Sequence, residues 1–290
     1  RLPYYPKLLT AIPYSPVTGP RLLVKIGHPD ADLLRQSLVD LAIDECRTWD
    51  FSSWHCNFCN ETDSAALDKE PLLARRDWQY HWFNQDYHSF DDFLCQLRSR
   101  KRKNIRRERR QVCESGVRFE WKGGEELSHR NHEFVYTCYQ NTFMAYGNYA
   151  ALQAKFFRDI AKNMPDRVHV LLAIRDDKPI AMAFFLSGGD RLYGRYWGCV
   201  EEVPGLHFET AYYQGIEFCI ERGIRVVESG AQGQHKISRG FMPSQTRSFH
   251  LVRNEAFREA IADFLIRENH GLDEYRAQLA VHDPFRRDSG

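Results

Sequence analysis

The chain has 290 residues, of which 43% are hydrophobic and 27% are charged, and this composition excludes a disordered or low-complexity protein. Its formal net charge of +1 provides no overall field that would attract nucleic acid or a membrane surface. The longest apolar run, residues 180–186, is much shorter than the roughly 18 residues that a membrane-spanning helix needs. We therefore expect no membrane span.

The first elements follow a strand, helix and strand pattern. Residues 1–20 are rich in proline and lack the apolar run of a signal peptide, and because the chain begins with Arg1 we interpret it as a fragment without its natural start. Apolar residues at helical or alternating spacing predict a helix over residues 30–49 and strands over residues 21–26, 51–59 and 78–84. A short helix is expected between the last two strands.

A strongly basic helix is predicted next, over residues 89–116. Ser89 and Asp92 are typical of a helix start, and Gly116 is typical of a helix end. Residues 98–110 contain nine Lys or Arg and one Glu, a local charge of +8. Two interpretations stand: a solvated face of a long helix, or an anion-binding face for phosphates or RNA.

The second half of the chain contains a three-stranded meander that follows two helices. The predicted order is a strand over 116–121, helices over 128–146 and 151–164, three strands between 168 and 198, a helix over 207–223, strands over 224–228 and 245–252, and a helix over 254–270. The first half repeats the end of this order. We infer an internal duplication whose first member is incomplete.

The eight cysteines do not form a recognisable zinc or disulfide pattern. Cys56 and Cys59 make the single CxxC of the chain, and no second pair completes a zinc site. A chain of this length builds a core without disulfides, so we interpret Cys56 and Cys59 as small apolar residues of a buried strand and expect a reducing, cytoplasmic setting.

Five stretches resemble the FemAB-like family of predicted N-acyltransferases, which is linked by name to peptidoglycan biosynthesis or recognition. They are RKRKNIRRER (residues 100–109), LYGRYWG (192–198), LHFE (206–209), YYQGIE (212–217) and GAQGQHKISRGF (230–241). The resemblance runs over nearly the whole chain, and the order of elements is that of GNAT acyltransferases. It implies an α/β (α+β) fold of tandem GNAT-like units with the first one incomplete.

The resemblance also implies a division of the chain and an activity. Residues 1–88 would be the C-terminal part of a first GNAT-like unit, residues 89–115 a basic linking helix, and residues 116–290 a second, complete unit. The implied activity is transfer of an acyl or aminoacyl group from acyl-CoA or aminoacyl-tRNA to an amine on a small molecule or peptide. A tRNA donor would bind through residues 98–110. The alternative is a non-catalytic module that recognises peptidoglycan fragments or another anionic ligand.

The carrier is expected at Gly205, Leu206, His207 and Phe208, because a glycine loop that enters a helix exposes free backbone N–H groups to phosphate. The preceding residues, 201–202, are both Glu and suit an anion poorly. The loop also has fewer glycines than acetyl-CoA enzymes carry, which argues against acetyl-CoA itself.

Four side chains are the main candidates for acid–base work, namely Glu228, His207, Glu209 and His235, and Glu217 in the middle of the predicted helix is a fifth. We favour Glu228, since it ends a strand where the fold opens and burial would raise its pKa. The same four side chains include the types that bind metals. However, His207 and Glu209 face different sides of their helix and no HExxH occurs, so we expect no metal.

The acceptor is expected near five further residues. Strict alternation along a strand would place Tyr193 and Arg195 on one face and Tyr196 on the other. In the glycine-rich loop, Gln232, Lys236 and Arg239 either grip a carboxylate or phosphate of the acceptor or pair locally within a structural turn. The loop lacks the GxxxxGK[ST] spacing of a P-loop.

Overall fold

A computed structural model describes residues 4–230, 233–281 and 283–286. The chain forms two compact units that are not continuous in sequence. Unit 1 contains the residues up to Gln79 together with Pro243–Val281, and unit 2 contains Tyr80–Met242 and the residues after Val281. Within the described ranges, none of the helices is both long enough and apolar enough to cross a bilayer.

Unit 1 is a small sheet with strand order β1-β2-β9-β3 and three helices. Its elements are β1 (Leu8–Thr10), α1 (Ala31–Thr48), β2 (Ser53–Cys59), α2 (Glu61–Leu67), the first seven residues of β3 (Leu73–Phe83), β9 (Met242–Val252) and α9 (Glu255–Val281). Strand β1 is parallel to β2, and β2 is antiparallel to β9. Apolar side chains of α1, β2, α2 and β9, including Val39, Trp54, Leu67 and Phe249, form one core.

The strand predicted over residues 21–26 is wrong, and the edge strand of this sheet is β1 instead. The backbone N–H groups of Arg21 and Leu22 both donate to the carboxylate of Asp63, which is 1% exposed. Because a side chain already satisfies these donors, the segment needs no partner strand. Leu23 and Ile26 point outward and are 77% and 99% exposed.

Unit 2 is a six-stranded sheet with order β3-β8-β7-β6-β5-β4. Its elements are the end of β3, α3 (Phe90–Gln96), α4 (Ser99–Glu114), β4 (Arg118–Gly123), α5 (His129–Ala145), α6 (Ala154–Asn163), β5 (Val168–Arg175), β6 (Lys178–Gly188), β7 (Arg191–Cys199), a helix over residues 206–221 and β8 (Val226–Glu228). Alternate residues of the central strands point to opposite faces. Leu172 packs with α5 and α6, whereas its neighbour Ala173 packs with α4 and the helix over 206–221.

The single helix predicted over residues 89–116 is instead two helices, α3 and α4. Leu97 and Arg98 between them have extended backbone, with ψ of 150° and 142°. Residues 284–286 pair with this break: Arg98 N–H donates to the carbonyl of Pro284 at 2.9 Å, and Leu97 forms a bridge with Phe285. The spacing of apolar residues in 89–116 could not predict the break, because its cause is a segment nearly 190 residues away.

The sheet of unit 2 has the predicted GNAT-like order. Strands β4 to β7 form an antiparallel meander, a helix follows, and β8 then lies parallel to β7. The division into residues 1–88, 89–115 and 116–290 stays a prediction, since compactness does not define duplicated units.

Candidate active site

The site begins where β7 and β8 stop pairing. Their parallel register covers only three pairs and ends at Tyr193 and Glu228. Just beyond, β7 has a bulge: Phe185 pairs with Gly194 and Phe184 with Tyr196, which leaves Arg195 as an extra residue. A bulge bends its strand and re-aims side chains, and bulges are frequent beside active sites. We call this region the open end of the β7–β8 pair.

The bulge overturns one expectation about side-chain directions. Tyr193 pairs with Leu186 and Tyr196 with Phe184, so the two tyrosines share one face of the sheet. The predicted arrangement, with Tyr193 and Arg195 on one face and Tyr196 on the other, is wrong because the extra residue shifts the alternation.

Glu228 lies at the open end and is 5% exposed. One carboxylate oxygen accepts a hydrogen bond of 2.7 Å from Arg191, and the other lies 3.8 Å from Nε2 of His81. Burial raises the pKa of Glu228, and the opposing effects of Arg191 and Arg195 are smaller. A buried carboxylate with a raised pKa is a suitable proton acceptor.

His81 and Lys236 complete the buried group around Glu228. Burial, reinforced by Arg191 and Lys236, lowers the pKa of His81 to about 4. Lys236 is 2% exposed and donates to the carbonyls of Ser229 and Gly230, each at 2.8 Å. Burial lowers the pKa of this amine to about 8.

Tyr193 and Arg195 lie near this group. Burial raises the pKa of Tyr193, and the neighbouring charge of Glu228 adds to the effect. The guanidinium of Arg195 lies 5.7 Å from the ring centre of Tyr196, and its charge acts on Glu228. Both residues therefore lie near Glu228, and their contact with an acceptor stays a prediction.

The glycine-rich loop after β8 folds into a short 3-10 helix, Gln234–Arg239, between two glycines with positive φ. Gly240 has a φ of 89°, and a Cβ there would lie 2.7 Å from the ring of Phe93, so no other residue fits without a shift. Gln232 lies outside the described residues, and its predicted role stays a prediction.

Arg239 and Lys236 point into the protein rather than into solvent. Arg239 is 7% exposed, pairs with Glu108 at 3.0 Å and lies 3.6 Å from the ring centre of Phe208. With Lys236 bound to two backbone carbonyls, these contacts fit the interpretation that the loop charges pair locally. A grip on the acceptor would require these contacts to be exchanged.

The helix over residues 206–221 begins after Gly205, whose φ is 85°. It runs as α7 (Leu206–Phe208), a π-helical segment (Glu209–Tyr213) and α8 (Gln214–Glu221), and we call it the cleft helix. Short π-helical segments are frequent at functional sites. The N–H of Leu206 already donates to the carbonyl of Val203 at 3.0 Å, so the predicted phosphate seat depends on the N–H groups that follow it in the first turn.

His207, Phe208 and His235 belong to an aromatic cluster at the start of the cleft helix. The ring of His207 lies 4.8 Å from Trp197 and 5.4 Å from Tyr212, and burial lowers its pKa to about 4. His235 is 3.1 Å from the hydroxyl of Tyr212, and burial together with Arg239 lowers its pKa. Both imidazoles are therefore neutral near pH 7.

Glu209 is 2% exposed and is tied to helix α4. Arg109 donates to both of its oxygens, at 3.1 and 3.2 Å, and also binds Glu217 at 2.7 Å. Gln214 donates a further hydrogen bond of 2.9 Å. The catalytic role predicted for Glu209 stays a prediction, but its oxygens are occupied by structural partners.

Helix α4 carries an outward basic stripe: Arg100, Lys103, Arg107 and Arg110. At 100° per residue these positions fall within about 80° of the helix circumference. All four are exposed, and none has an ion-pair partner within the described part of the chain. Ile105 and Val112, on the opposite face, are buried.

Sequence reasoning missed His81, Arg191, Glu108 and Arg109. His81 lies on a strand of the first half of the chain, and its pairing with Glu228 is set by the β3–β8 register. Glu108 and Arg109 lie within the basic run and were not singled out from it. Glu108 is the single acidic residue of residues 98–110, and this exception could have indicated a specific ion pair. In the described ranges, three or more potential metal ligands never cluster.

A model of the FemAB-like family, described as peptidoglycan biosynthesis/recognition, matches residues 1–287. A comparison with curated proteins found no match. The C-terminal DUF2156 domain of a putative lysylphosphatidylglycerol synthetase from Agrobacterium fabrum has a TM-score of 0.57 at 12% identity, over 80% of this chain and 77% of that one.

Two further solved structures are similar. L-PGS from Bacillus licheniformis has a TM-score of 0.57 at 7% identity, over 81% of this chain and 78% of that one. FemX has a TM-score of 0.54 at 10% identity, over 87% of this chain and 85% of that one. At these identities the likeness concerns the fold, and with the sheet order it confirms the predicted GNAT-like α/β fold.

Proposed function

The chain belongs to the FemAB-like family, and on that premise we propose that it is an N-acyltransferase acting on an amine. The observation that carries the proposal is the open end of the β7–β8 pair. There a buried carboxylate, Glu228, is the last paired residue of β8, and His207 at the start of the cleft helix lies 4.8 Å from Trp197 of β7. Acyl transfer needs a carrier seat, a proton acceptor and donors for the oxyanion.

Glu228 is the proposed proton acceptor. The amine attacks the carbonyl carbon of a thioester or ester, a C–N bond forms, and the amine proton passes to Glu228 directly or through one water. The C–S or C–O bond to the carrier then breaks, and the leaving sulfur or oxygen takes a proton. The raised pKa of Glu228 makes it a better base than an exposed carboxylate.

The carrier is proposed to bind at Gly205, Leu206, His207 and Phe208. The left-handed backbone of Gly205 turns the chain into the cleft helix, and the following N–H groups favour a phosphate. His207 and His235, both neutral near pH 7, are proposed as hydrogen-bond partners there rather than as cations.

The donor is either acyl-CoA or aminoacyl-tRNA, and the basic stripe of α4 favours tRNA. Four unpaired cations along one helix face repel one another, and phosphates relieve that repulsion. The stripe contains no aromatic residue for base stacking, so it suits backbone contacts with helical RNA.

Filter binding of tRNA tests this donor. Four phosphate contacts predict binding about 100-fold weaker at 200 mM than at 50 mM salt. Replacing the four stripe residues by Ala should abolish most of the salt dependence of tRNA binding. A control variant, in which four other exposed basic residues are replaced by Ala, should keep it; these are Lys25, Arg130, Lys162 and Arg167. No binding at low salt would remove the tRNA donor, and stabilisation by a CoA ester would then favour acyl-CoA.

The activity itself is tested by mass spectrometry. The full chain is incubated with acyl-CoA esters or aminoacyl-tRNA and with amines from peptidoglycan stem peptides, which the family description suggests as acceptors. A covalent N-acyl product that disappears in Glu228→Gln supports the proposal. Absence of product with every donor, together with retained ligand binding, would contradict it.

A second function is favoured by one observation: Glu228 is already held by Arg191 at 2.7 Å. In a recognition module that pair would be structural, and the site would bind peptidoglycan fragments without reaction. Binding would then survive in Glu228→Gln, with no acyl product in either protein. A cytoplasmic location stays a prediction for both functions.

A further inference from the structure

Two adjacent residues of helix α4 carry opposite charges, and both face the other elements of unit 2. Glu108 is the single acidic residue among residues 98–110. Arg109 follows it, and both side chains are only about a quarter exposed, 24% each. The exposed basic stripe lies on the opposite side of the helix. Glu108 and Arg109 therefore have a different environment from the stripe, and we consider their role separately.

Glu108 binds the glycine-rich loop. Nη2 of Arg239 donates to both carboxylate oxygens of Glu108, at 3.0 and 3.1 Å, and the hydroxyl of Tyr213 donates to the same carboxylate. The Arg239 side chain is 8% exposed and stacks on the ring of Phe208. One carboxylate thus fixes the loop against the cleft helix.

Arg109 binds the cleft helix itself. It pairs with Glu209, whose side chain is 3% exposed, and with Glu217, while its guanidinium lies 4.4 Å from the ring centre of Phe90. These contacts span the π-helical segment and α8. Farther along α4, Val112 lies against Gly205, where a Cβ would come within 3.3 Å of it.

We propose that Glu108 and Arg109 are positioning residues that set both walls of the proposed active site, the glycine-rich loop and the cleft helix. The inference rests on the proposed function for its catalytic meaning, whereas the contacts are independent of it. Loss of one partner of a buried ion pair destabilises the protein, because the other charge stays buried without a partner. Glu108 therefore holds the glycine-rich loop in one arrangement, and Arg109 does the same for the cleft helix. The basic helix is therefore part of the site and more than a linker.

The ionisation of His235 reports the position of Arg239. The groups that face His235 are Tyr212, His207, Lys236 and Arg239, and the charge of Arg239 lowers its pKa. Removing the carboxylate of Glu108 alone would lower the pKa of His235 further. Release of Arg239 from its position would raise it, so the two effects have opposite signs.

The test is an NMR titration of His235 in the full chain, with Glu108→Gln compared with the exposed control Glu114→Gln. We expect the pKa of His235 to rise in Glu108→Gln and to stay unchanged in the control. Amide exchange of residues 233–241 should accelerate at least 10-fold in Glu108→Gln, with β5 and β6 unaffected. A lower pKa of His235, or unchanged exchange, would overturn the positioning role.

Two further variants keep the test decisive. If Glu108→Gln fails to fold, the exchanged pair Glu108→Arg with Arg239→Glu should restore folding and slow exchange in the loop; failure to do so contradicts the proposal. Arg109→Gln should accelerate exchange in residues 206–213 instead. Loss of the proposed function would appear separately, as absence of acyl product in the wild-type chain while all exchange effects persist.

Discussion

His81 and Glu228 face each other across the antiparallel β3–β8 pair, with Nε2 and Oε2 3.8 Å apart and both side chains at most 6% exposed. They do not form a conventional ion pair. Burial lowers the pKa of His81 to about 4, so the imidazole is neutral at pH 7, and it raises the pKa of Glu228. The two residues are thus a neutral imidazole beside a carboxyl group whose pKa is raised.

The neutral His81 predicts acid sensitivity. Between the unfolded pKa of 6.5 and the folded pKa of about 4, the unfolded chain binds a proton that the folded chain does not. The free energy of unfolding therefore falls as pH falls through this window, by on the order of 3 kcal/mol. Denaturant titrations between pH 7 and 4 should show a loss in wild type and in the exposed control His129→Gln that exceeds the loss in His81→Gln by this contribution, because other buried histidines such as His207 lose stability in all three proteins.

Lys236 predicts a gain of stability at alkaline pH, with the same sign of pH dependence as His81. Its folded pKa of about 8 lies below its ordinary value of 10.5, so the folded chain loses the proton first. The contribution of this residue to the free energy of unfolding rises between pH 8 and 10.5, by on the order of 3 kcal/mol. The difference in unfolding free energy between wild type and Lys236→Met should grow over this range. A constant difference would contradict a buried ammonium.

Glu228→Gln should reduce acyl transfer by about 10²–10⁴-fold, as expected for loss of a general base. Binding of the carrier should stay within about twofold, because the proposed seat at residues 205–208 is separate. The measurements are product formation by mass spectrometry and equilibrium binding of the carrier. Glu221→Gln, at an exposed position of α8, is the matched control; equal loss in both variants would rule out a specific role.

Gly198→Ala should destabilise unit 2. A Cβ at this position of β7 would overlap the backbone carbonyl of Cys138 on α5, so helix and strand must separate. We expect a loss of about 1–3 kcal/mol, measured by denaturant titration. Gly271→Ala is the control, since no atom lies within 4 Å of its new methyl group; within helix α9 it should gain about 0.5–1 kcal/mol.

The sequence allowed prediction of the elements whose signals are local. The meander β5–β7, helix α5 and helix α1 follow hydrophobic spacing and turn residues, and the structure confirms them. The glycine-rich loop after β8 was also located correctly. The resemblance to the FemAB-like family supplied the GNAT-like fold, which spacing alone does not specify.

The features that escaped prediction depend on distant partners. Asp63 takes the N–H groups of Arg21 and Leu22 and so replaces a strand, and Pro284 accepts from Arg98 at the helix break. The bulge at Arg195 arises from register with β6. None of these causes leaves a mark in the neighbouring sequence.

The discontinuity of unit 1 has a consequence for synthesis on the ribosome. Strand β9 and helix α9, which complete this unit, are translated roughly 160 residues after Gln79. At a translation rate of 5–20 residues per second, β9 and α9 are synthesised about 10–30 s after the early strands. During that interval Trp54, Leu67 and Cys56 lack the cover of Phe249 and Leu251. The nascent chain therefore offers chaperones an apolar surface that the finished protein conceals.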